Sequence, residues 1–188
     1  MYPVGLGAPR RHPLIQFPYQ AFWCEENVWQ LAQRPETAGD ERLVLVLTGA
    51  AGAMACWQQK AGLDGDPIAW DYHVVLATRD AGWRIWDLDC RVGCPLPASA
   101  WLSSTFPFPE VVPAALQPRF ALFPASDYIE RFSSDRSHMR DPDGRWLQPP
   151  PSWPPISGQP SAMPLKLTDA IAQARHGLDL ASVTARLR

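Results

Sequence analysis

Three kinds of residue in this chain could together open an amide bond by acyl transfer. They are a cysteine at the start of a helix-forming segment, a histidine inside a strand-forming one, and an acid on the strand that follows. A cysteine attacks as its thiolate, so it needs a base within hydrogen-bond reach and gains from a helix N-terminus, whose partial positive charge favours the anion. Cys24 opens CEENVWQLAQ, a run of helix formers with Glu25 and Glu26 in its first turn and Val28, Leu31 and Ala32 at helical spacing. Pro35 ends that helix. Of the histidines at 12, 73, 138 and 176, only His73 lies inside a strong strand pattern with a polar neighbour, Asp71, on its own face. The group to hold its imidazole comes from WRIWDLD, whose alternation puts Trp83, Ile85, Asp87 and Asp89 on one face. A hairpin with an odd-length loop sets an acid of that face across from His73, and the register leaves Asp87 and Asp89 in competition.

Each of these residues also has a plain structural reading. A buried free cysteine is usually inert, a strand histidine can be a satisfied core residue, and Asp89 can cap a turn or tie down the loop after it. His138, in the polar segment SDRSHM, suits a loop or helix end better than the role of base. Cys90 and Cys94 have a spacing found in structural zinc pairs, but no second pair accompanies them, so no metal is expected.

The elements that must position the site follow from the pattern. RLVLVLT, residues 42–48, is a short buried strand bounded by Gly49, and a central place in a sheet suits it. IAWDYHVVLAT reads as one strand with Ile68, Trp70, Tyr72, Val74 and Leu76 on one face and Ala69, Asp71, His73 and Val75 on the other. Arg79-Asp80-Ala81-Gly82 has turn chemistry, so this strand and WRIWDLD should pair as an antiparallel hairpin. Residues 90–123 are rich in proline and small residues, 126–132 suggest a short helix, and a helical region starts near Thr168. Residues 1–20 read as an extended arm, and Pro149–Pro155 as a stiff surface loop with a polyproline ligand as the alternative. A single domain over residues 1–188 is expected, since 46% hydrophobic content over this length suits one continuous core.

Composition excludes several classes of function. Only 19% of residues are charged, the net charge is -2, and basic residues form no block, so neither nucleic acid nor an anionic membrane is expected as a partner. The longest apolar runs are too short to span a bilayer, and prolines interrupt the N-terminal stretch that a secretory signal would need. A soluble, cytoplasmic protein with its four cysteines as thiols is the expectation.

Several segments carry a likeness beyond these patterns. Trp70-Asp71-Tyr72-His73-Val74 reproduces the WDYHV signature, and Cys24-Glu25-Glu26-Asn27-Val28-Trp29, Trp86-Asp87-Leu88-Asp89, Ser134 to Met139, and Trp146 with Pro149-Pro150-Pro151 follow in order. Over residues 22–170 the chain resembles the protein N-terminal glutamine amidohydrolase family; the arm before Phe22, residues 90–112 and the last residues match it poorly. The resemblance implies a single-domain α/β (α+β) fold of the transglutaminase-like, papain-like kind, with a mostly antiparallel sheet flanked by helices. It implies a monomer without metal or cofactor and a Cys–His–Asp triad on Cys24, His73 and Asp87, which favours Asp87 over Asp89. The implied substrates are proteins or peptides with a free N-terminal glutamine, deamidated to glutamate, which in eukaryotes can be arginylated in an N-degron pathway. Glu25, Glu26, Asp71 and Asp89 are candidates to meet the substrate's α-ammonium. Two other functions remain in view: a transglutaminase-like or cysteine-protease-like enzyme acting on internal residues, and a catalytically silent binding module. Short length speaks against the first, and the intact cysteine, histidine and aspartate against the second.

Overall fold

A computed structural model describes residues 17–63, 65–160 and 162–188, so most of the expected N-terminal arm, residues 1–16, lies outside the described residues. Helix α1 (Cys24–Leu31) buries Val28 and Leu31 as its spacing predicts, but Cys24, Glu25, Glu26 and Asn27 are buried as well. The apolar run after it forms β1 (Glu41–Gly49), buried from Leu43 onward. A hairpin pair, β2 (Met54–Cys56) with β3 (Ile68–Trp70), precedes β4 (His73–Arg79) and β5 (Trp83–Trp86). The short β6 (Leu96–Pro97) leads into helix α2 (Ala98–Thr105), and β7 (Pro118–Pro124) into helix α3 (Ala125–Arg131). A parallel pair, β8 (Phe132–Ser133) with β9 (Leu165–Lys166), brackets the proline-rich loop, and helices α4 (Leu167–Arg175) and α5 (Leu180–Arg186) follow.

The main sheet is antiparallel with strand order β6-β5-β4-β1-β7, which puts β1 in the interior as its unbroken apolar run requires. Its side chains alternate between two cores. Val44 and Val46 join Val74, Leu76, α1, α3 and α4 on one face. Leu43, Leu45 and Leu47 meet Val75, Ile85, Trp101 of α2 and Val183 of α5 on the other. The sheet is thus flanked by helices on both faces, as the fold class expected.

Three expectations need correction. IAWDYHVVLAT is two strands: the β1–β4 ladder stops at the Leu47–His73 pair, two residues before β1 itself ends at Gly49. The Thr48 hydroxyl donates to the Asp71 carbonyl at 2.6 Å, the chain breaks at Asp71-Tyr72, and β3 pairs with β2 instead. WRIWDLD is a strand only to Trp86, so Asp87 and Asp89 lie in the turn after β5. Residues 90–123, where the sequence shows only a richness in proline and small residues, contain β6, α2 and all of β7 but Pro124. The prolines bounding PRFALFP read as breakers, yet β7 is an edge strand, where a missing N–H is tolerated.

Gly49 lets β1 turn sharply enough to leave the sheet beside His73. A Cβ at this position would lie 1.7 Å from the Ala53 carbonyl oxygen and 3.0 Å from that of Ala115, both backbone atoms. Gly49→Ala should therefore cost about 2 kcal/mol or more through forced backbone shifts, lowering Tm by about 4–8 °C in a domain of this size. Thermal melts of the two proteins check this, and equal Tm values would show that the turn relaxes without cost.

Candidate active site

Cys24 sits where α1 begins, and the chain is steered into that helix by a costly turn. Phe22 has a left-handed backbone (φ 69°), and the buried Trp23 serves as N-cap with its indole N–H donating to the Pro149 carbonyl at 2.9 Å. No side chain caps this end, so the partial positive charge of the first turn falls on Cys24. Cys24 is 8% exposed. Its Sγ lies 3.7 Å from Glu25 Oε2, and the Val74 backbone N–H faces it.

His73 is the first residue of β4. Its Nε2 is 3.0 Å from Asp87 Oδ1, and both residues are almost wholly buried. The way they meet differs from a simple cross-strand pair. The β4–β5 register pairs Leu76 with Trp86, and continued one pair at a time past Trp86 it would set Asp89 against His73. The chain turns after Trp86, and the turn swings Asp87 in instead. Asp87 is then fixed from all sides: Oδ1 also accepts the Asp89 N–H at 3.0 Å, while Oδ2 accepts the Trp101 indole N–H at 2.9 Å and the Gln59 amide at 3.2 Å. Gln59 in turn accepts the Trp70 indole N–H at 3.2 Å, and the Trp70 ring stacks on the imidazole, 5.8 Å between centroids and 5° between planes. With Nε2 engaged, Nδ1 is the nitrogen left for a further partner.

Electrostatics follow from this packing. Burial alone would lower the His73 pKa, but the Asp87 carboxylate and its hydrogen bond outweigh it, and the net direction is up. Burial would raise Asp87, yet His73, Trp101 and Gln59 together hold it below the usual range. Burial lifts the Cys24 thiol well above its ordinary value, with the charges of Glu25, Asp89 and Asp87 adding to the rise and the Val74 N–H opposing it. A helix start alone therefore does not make this thiol a thiolate, contrary to the simplest reading of its position. A base whose charged form a neighbour stabilises could take that proton, and the setting of His73 beside Asp87 is of that kind.

Cys24 and His73 share the wall of one cavity of about 300 Å³, with Phe22, Trp70, Tyr72 and Asp89 among its other lining residues. His73, Asp87 and Asp89 are the group among the described residues whose donor atoms approach closely enough to hold a cation, within 4.8 Å of one another. Asp87 already accepts four hydrogen bonds, which fits an orienting role better than that of a ligand. All four cysteines are free.

The sequence model of a family described as N-terminal glutamine amidase matches residues 19–182, which takes in all three of these residues. This chain belongs to the N-terminal glutamine amidase family. Among relatives, the protein N-terminal glutamine amidohydrolase of Bos taurus is 33% identical over 172 residues, covering 87% of this chain and 83% of its own. That of Drosophila pseudoobscura pseudoobscura is 39% identical over 150 residues, covering 73% and 71%. The NMR structure of protein-glutaminase from Chryseobacterium proteolyticum overlaps with a TM-score of 0.39 at 17% identity, covering 74% of this chain and 68% of that one, and membership does not rest on it.

In this member of the N-terminal glutamine amidase family the two acids after Cys24 do different work. Glu26, wholly buried, is held by Arg136 through Nε to Oε1 at 2.8 Å and Nη2 to Oε2 at 2.7 Å, and by the Trp153 indole N–H at 2.7 Å. Arg136 donates again to the Trp153 carbonyl at 2.8 Å and lies over the Trp23 ring. The proline-rich loop is thus fastened to the start of α1. Glu25 accepts the Tyr72 hydroxyl at 3.0 Å and lies 3.4 Å from His138 Nε2, so His138 pairs with Glu25 and Tyr72, away from the role of base at Asp87. Of the four acids proposed for the substrate's ammonium, Asp71 and Asp89 line the cavity, and Glu25 and Glu26 do not. Sequence reasoning missed Gln59, Trp101, Arg136 and Trp153. Only the adjacent Glu25-Glu26 pair behind a buried cysteine signalled that a cation must come from elsewhere in the chain.

Arg136→Ala would leave Glu26 charged and buried without its partner, at a cost of about 3–5 kcal/mol. Chemical denaturation should show that loss, and a Glu26→Gln, Arg136→Met double variant should recover most of it. A loss no larger than that of a surface pair would mean the clamp does not hold α1.

Proposed function

We propose that this chain is a thiol-dependent hydrolase that converts the N-terminal glutamine of proteins and peptides to glutamate with release of ammonia. The observation that carries the reading is a cysteine and a carboxylate-held histidine opening onto one cavity in a chain whose relatives are named protein N-terminal glutamine amidohydrolase.

His73 takes the Cys24 proton, and the sulfur adds to the side-chain carboxamide carbon of the substrate. The carbonyl oxygen becomes an oxyanion, and the uncapped first-turn N–H groups of α1, that of Cys24 included, are the donors available to it. The imidazolium returns its proton to the nitrogen, the C–N bond breaks, and ammonia leaves behind a γ-glutamyl thioester. Water, deprotonated by the same imidazole, adds to the thioester; sulfur leaves, takes the proton back, and an N-terminal glutamate departs. Asp87 fixes the ring with Nε2 toward itself and stabilises its charged form through both addition steps. The steps use no group beyond the chain, the substrate and water.

Cys24→Ala should abolish ammonia release while keeping the fold, since Cys24 is the thiol that lines the cavity with His73. Matched peptides with Gln at the N-terminus, acetylated Gln, internal Gln and N-terminal Asn separate this reading from its rivals. Acetylation should cost about 10- to 100-fold in kcat/KM through a lost charge-assisted hydrogen bond. Asn, one methylene shorter, should lose around 100-fold because its carbonyl carbon stops short of the sulfur. Comparable values across the four would refute the N-terminal reading, and no release from any of them would refute the hydrolase.

The pH profile of kcat/KM carries the signs of the two shifts. His73 sits above its ordinary 6.5, because Asp87 outweighs burial, so the acid limb should fall above 6.5. Cys24 sits above its ordinary 9.0, because burial and neighbouring acids disfavour the anion, so the alkaline limb should lie above 9.0. Both limbs report the coupled pair. Asp87→Asn removes the main opposition to burial at His73 and leaves only the weaker effects of Asp89 and Glu25, so its acid limb should move down; a limb that stays in place would argue that Asp87 does not act on the imidazole.

A further inference from the structure

The cavity that Cys24 and His73 share adjoins a second one of about 160 Å³, and the two have three residues in common: Phe22, Trp70 and Asp89. Asp89 is therefore a carboxylate, 5% exposed, placed where two concave spaces meet. Its Oδ1 accepts the Tyr19 hydroxyl at 2.6 Å, which fixes the group without giving it a cation. Lys60, whose charge also reaches Asp89, spends its ammonium on the Leu88 carbonyl at 2.6 Å.

Resting on the reading above that the substrate is an N-terminal glutamine, we propose that Asp89 receives the substrate's α-ammonium and that Trp70 and Phe22 wall the place where it sits. The reach fits. In an extended glutamine the α-nitrogen lies about 5 Å from the carboxamide carbon by ordinary bond lengths, and Asp89 has an oxygen within 4.8 Å of a ring nitrogen of His73. A carboxamide held beside His73 in this cavity thus has its ammonium within reach of the carboxylate. Trp70 stacks on His73 and Phe22 packs edge-on against Trp70 at 6.0 Å, so aromatic surface surrounds the position, as a desolvated cation favours. Phe22 holds its ring there from a left-handed backbone that a bulky residue adopts only under compulsion.

The competing acids are excluded by their partners or by solvent. Glu26 is spent on Arg136 and Trp153, and Glu25 lies outside the cavity wall beneath the Tyr72 hydroxyl. Asp71 lines the cavity but is exposed, and an ion pair in water is worth only about 0–1 kcal/mol. Burial raises the Asp89 carboxyl and the Asp87 charge adds a little to the rise; together they outweigh the opposing effects of His73, Tyr19 and Lys60. A cation beside it relieves this tension. It also removes one of the charges that keep the Cys24 proton in place, so the substrate's own ammonium favours formation of the nucleophile.

The test uses full-length protein carrying Cys24→Ala, so that binding is read without turnover. Calorimetric titration compares a Gln-initiated peptide with its des-amino analogue, in which a 4-carbamoylbutanoyl group replaces the glutamine. The Gln peptide should bind about 10- to 100-fold more tightly, the span expected for a charge-assisted hydrogen bond. Adding Asp89→Asn should bring that ratio near unity, whereas Asp71→Asn should keep it. Tyr19→Phe, which loosens Asp89 and leaves its charge in place, should shrink the ratio a few-fold, and it supplies the answer if Asp89→Asn does not fold. A ratio preserved in both the Asp89 and Tyr19 variants overturns the proposal. So does a ratio lost in Asp71→Asn, or no preference in the Cys24→Ala protein itself. Ammonia release by the unaltered enzyme is read separately. If it is absent while the binding preference holds, the hydrolase reading fails and the assignment of Asp89 stands.

Discussion

A carboxylate taken out of water keeps its charge only where donors replace the hydration it has lost. Asp87, 1% exposed, meets that condition with four hydrogen bonds, and each donor comes from a different part of the chain. Trp101 reaches it from α2, Gln59 from the connection between β2 and β3, the Asp89 N–H from the turn after β5, and His73 from the first residue of β4. The charge so preserved is what keeps a buried imidazole basic. Remove it, and the main counterweight to burial at His73 is gone, with the weaker effects of Asp89 and Glu25 left to oppose it. The fold around the site can be read as the set of elements needed to deliver those four donors.

The same rule explains the other half of the site. α1 must bring Cys24 into the protein, and doing so drags Glu25 and Glu26 in with it. Glu26 is answered by a bidentate guanidinium, which is why a residue as remote in sequence as Arg136 is buried against α1, and why Trp153 follows it there. The proline-rich segment, whose composition suggested a surface loop, is in part internal structure: Pro151 and Ile156 are buried, and Pro149 accepts the Trp23 indole.

How much of this was legible depends on whether the cause is local. The buried strand β1, the hairpin of β4 and β5 and the helix that begins at Cys24 follow from residue patterns within a few positions, and each is present. What failed was whatever depends on where a partner strand ends. The break at Asp71-Tyr72 lies where the ladder to β1 stops at Leu47 and the Thr48 hydroxyl donates to the Asp71 carbonyl; both residues stand some twenty positions earlier, and no alternation inside IAWDYHVVLAT could signal it. The choice between Asp87 and Asp89 had the same difficulty. Alternation put both on one face, strand register extended by rule favours Asp89, and the turn after Trp86 reverses that preference. Only the likeness of the WDLD segment to the family favoured Asp87 beforehand. Gln59 and Trp101 gave no signal because an amide and an indole are ordinary residues until geometry aims them at a charge.

The placement of the site at the end of the sheet follows from the sheet's own alternation. Cys24 packs into the core on one face with Val74 and Leu76, whereas His73, one residue before Val74, belongs by alternation to the opposite face. Two side chains on opposite faces of a continuous sheet cannot meet through it. They line one cavity here because β4 has only just begun at His73 and the β1–β4 ladder stops at that pair, so no ladder continues past them to form a wall. The Val74 N–H, at this same boundary, faces the sulfur. Continuing the β1–β4 ladder past His73 would put a wall between the two side chains, so the early end of that ladder is what lets Cys24 and His73 open onto one cavity.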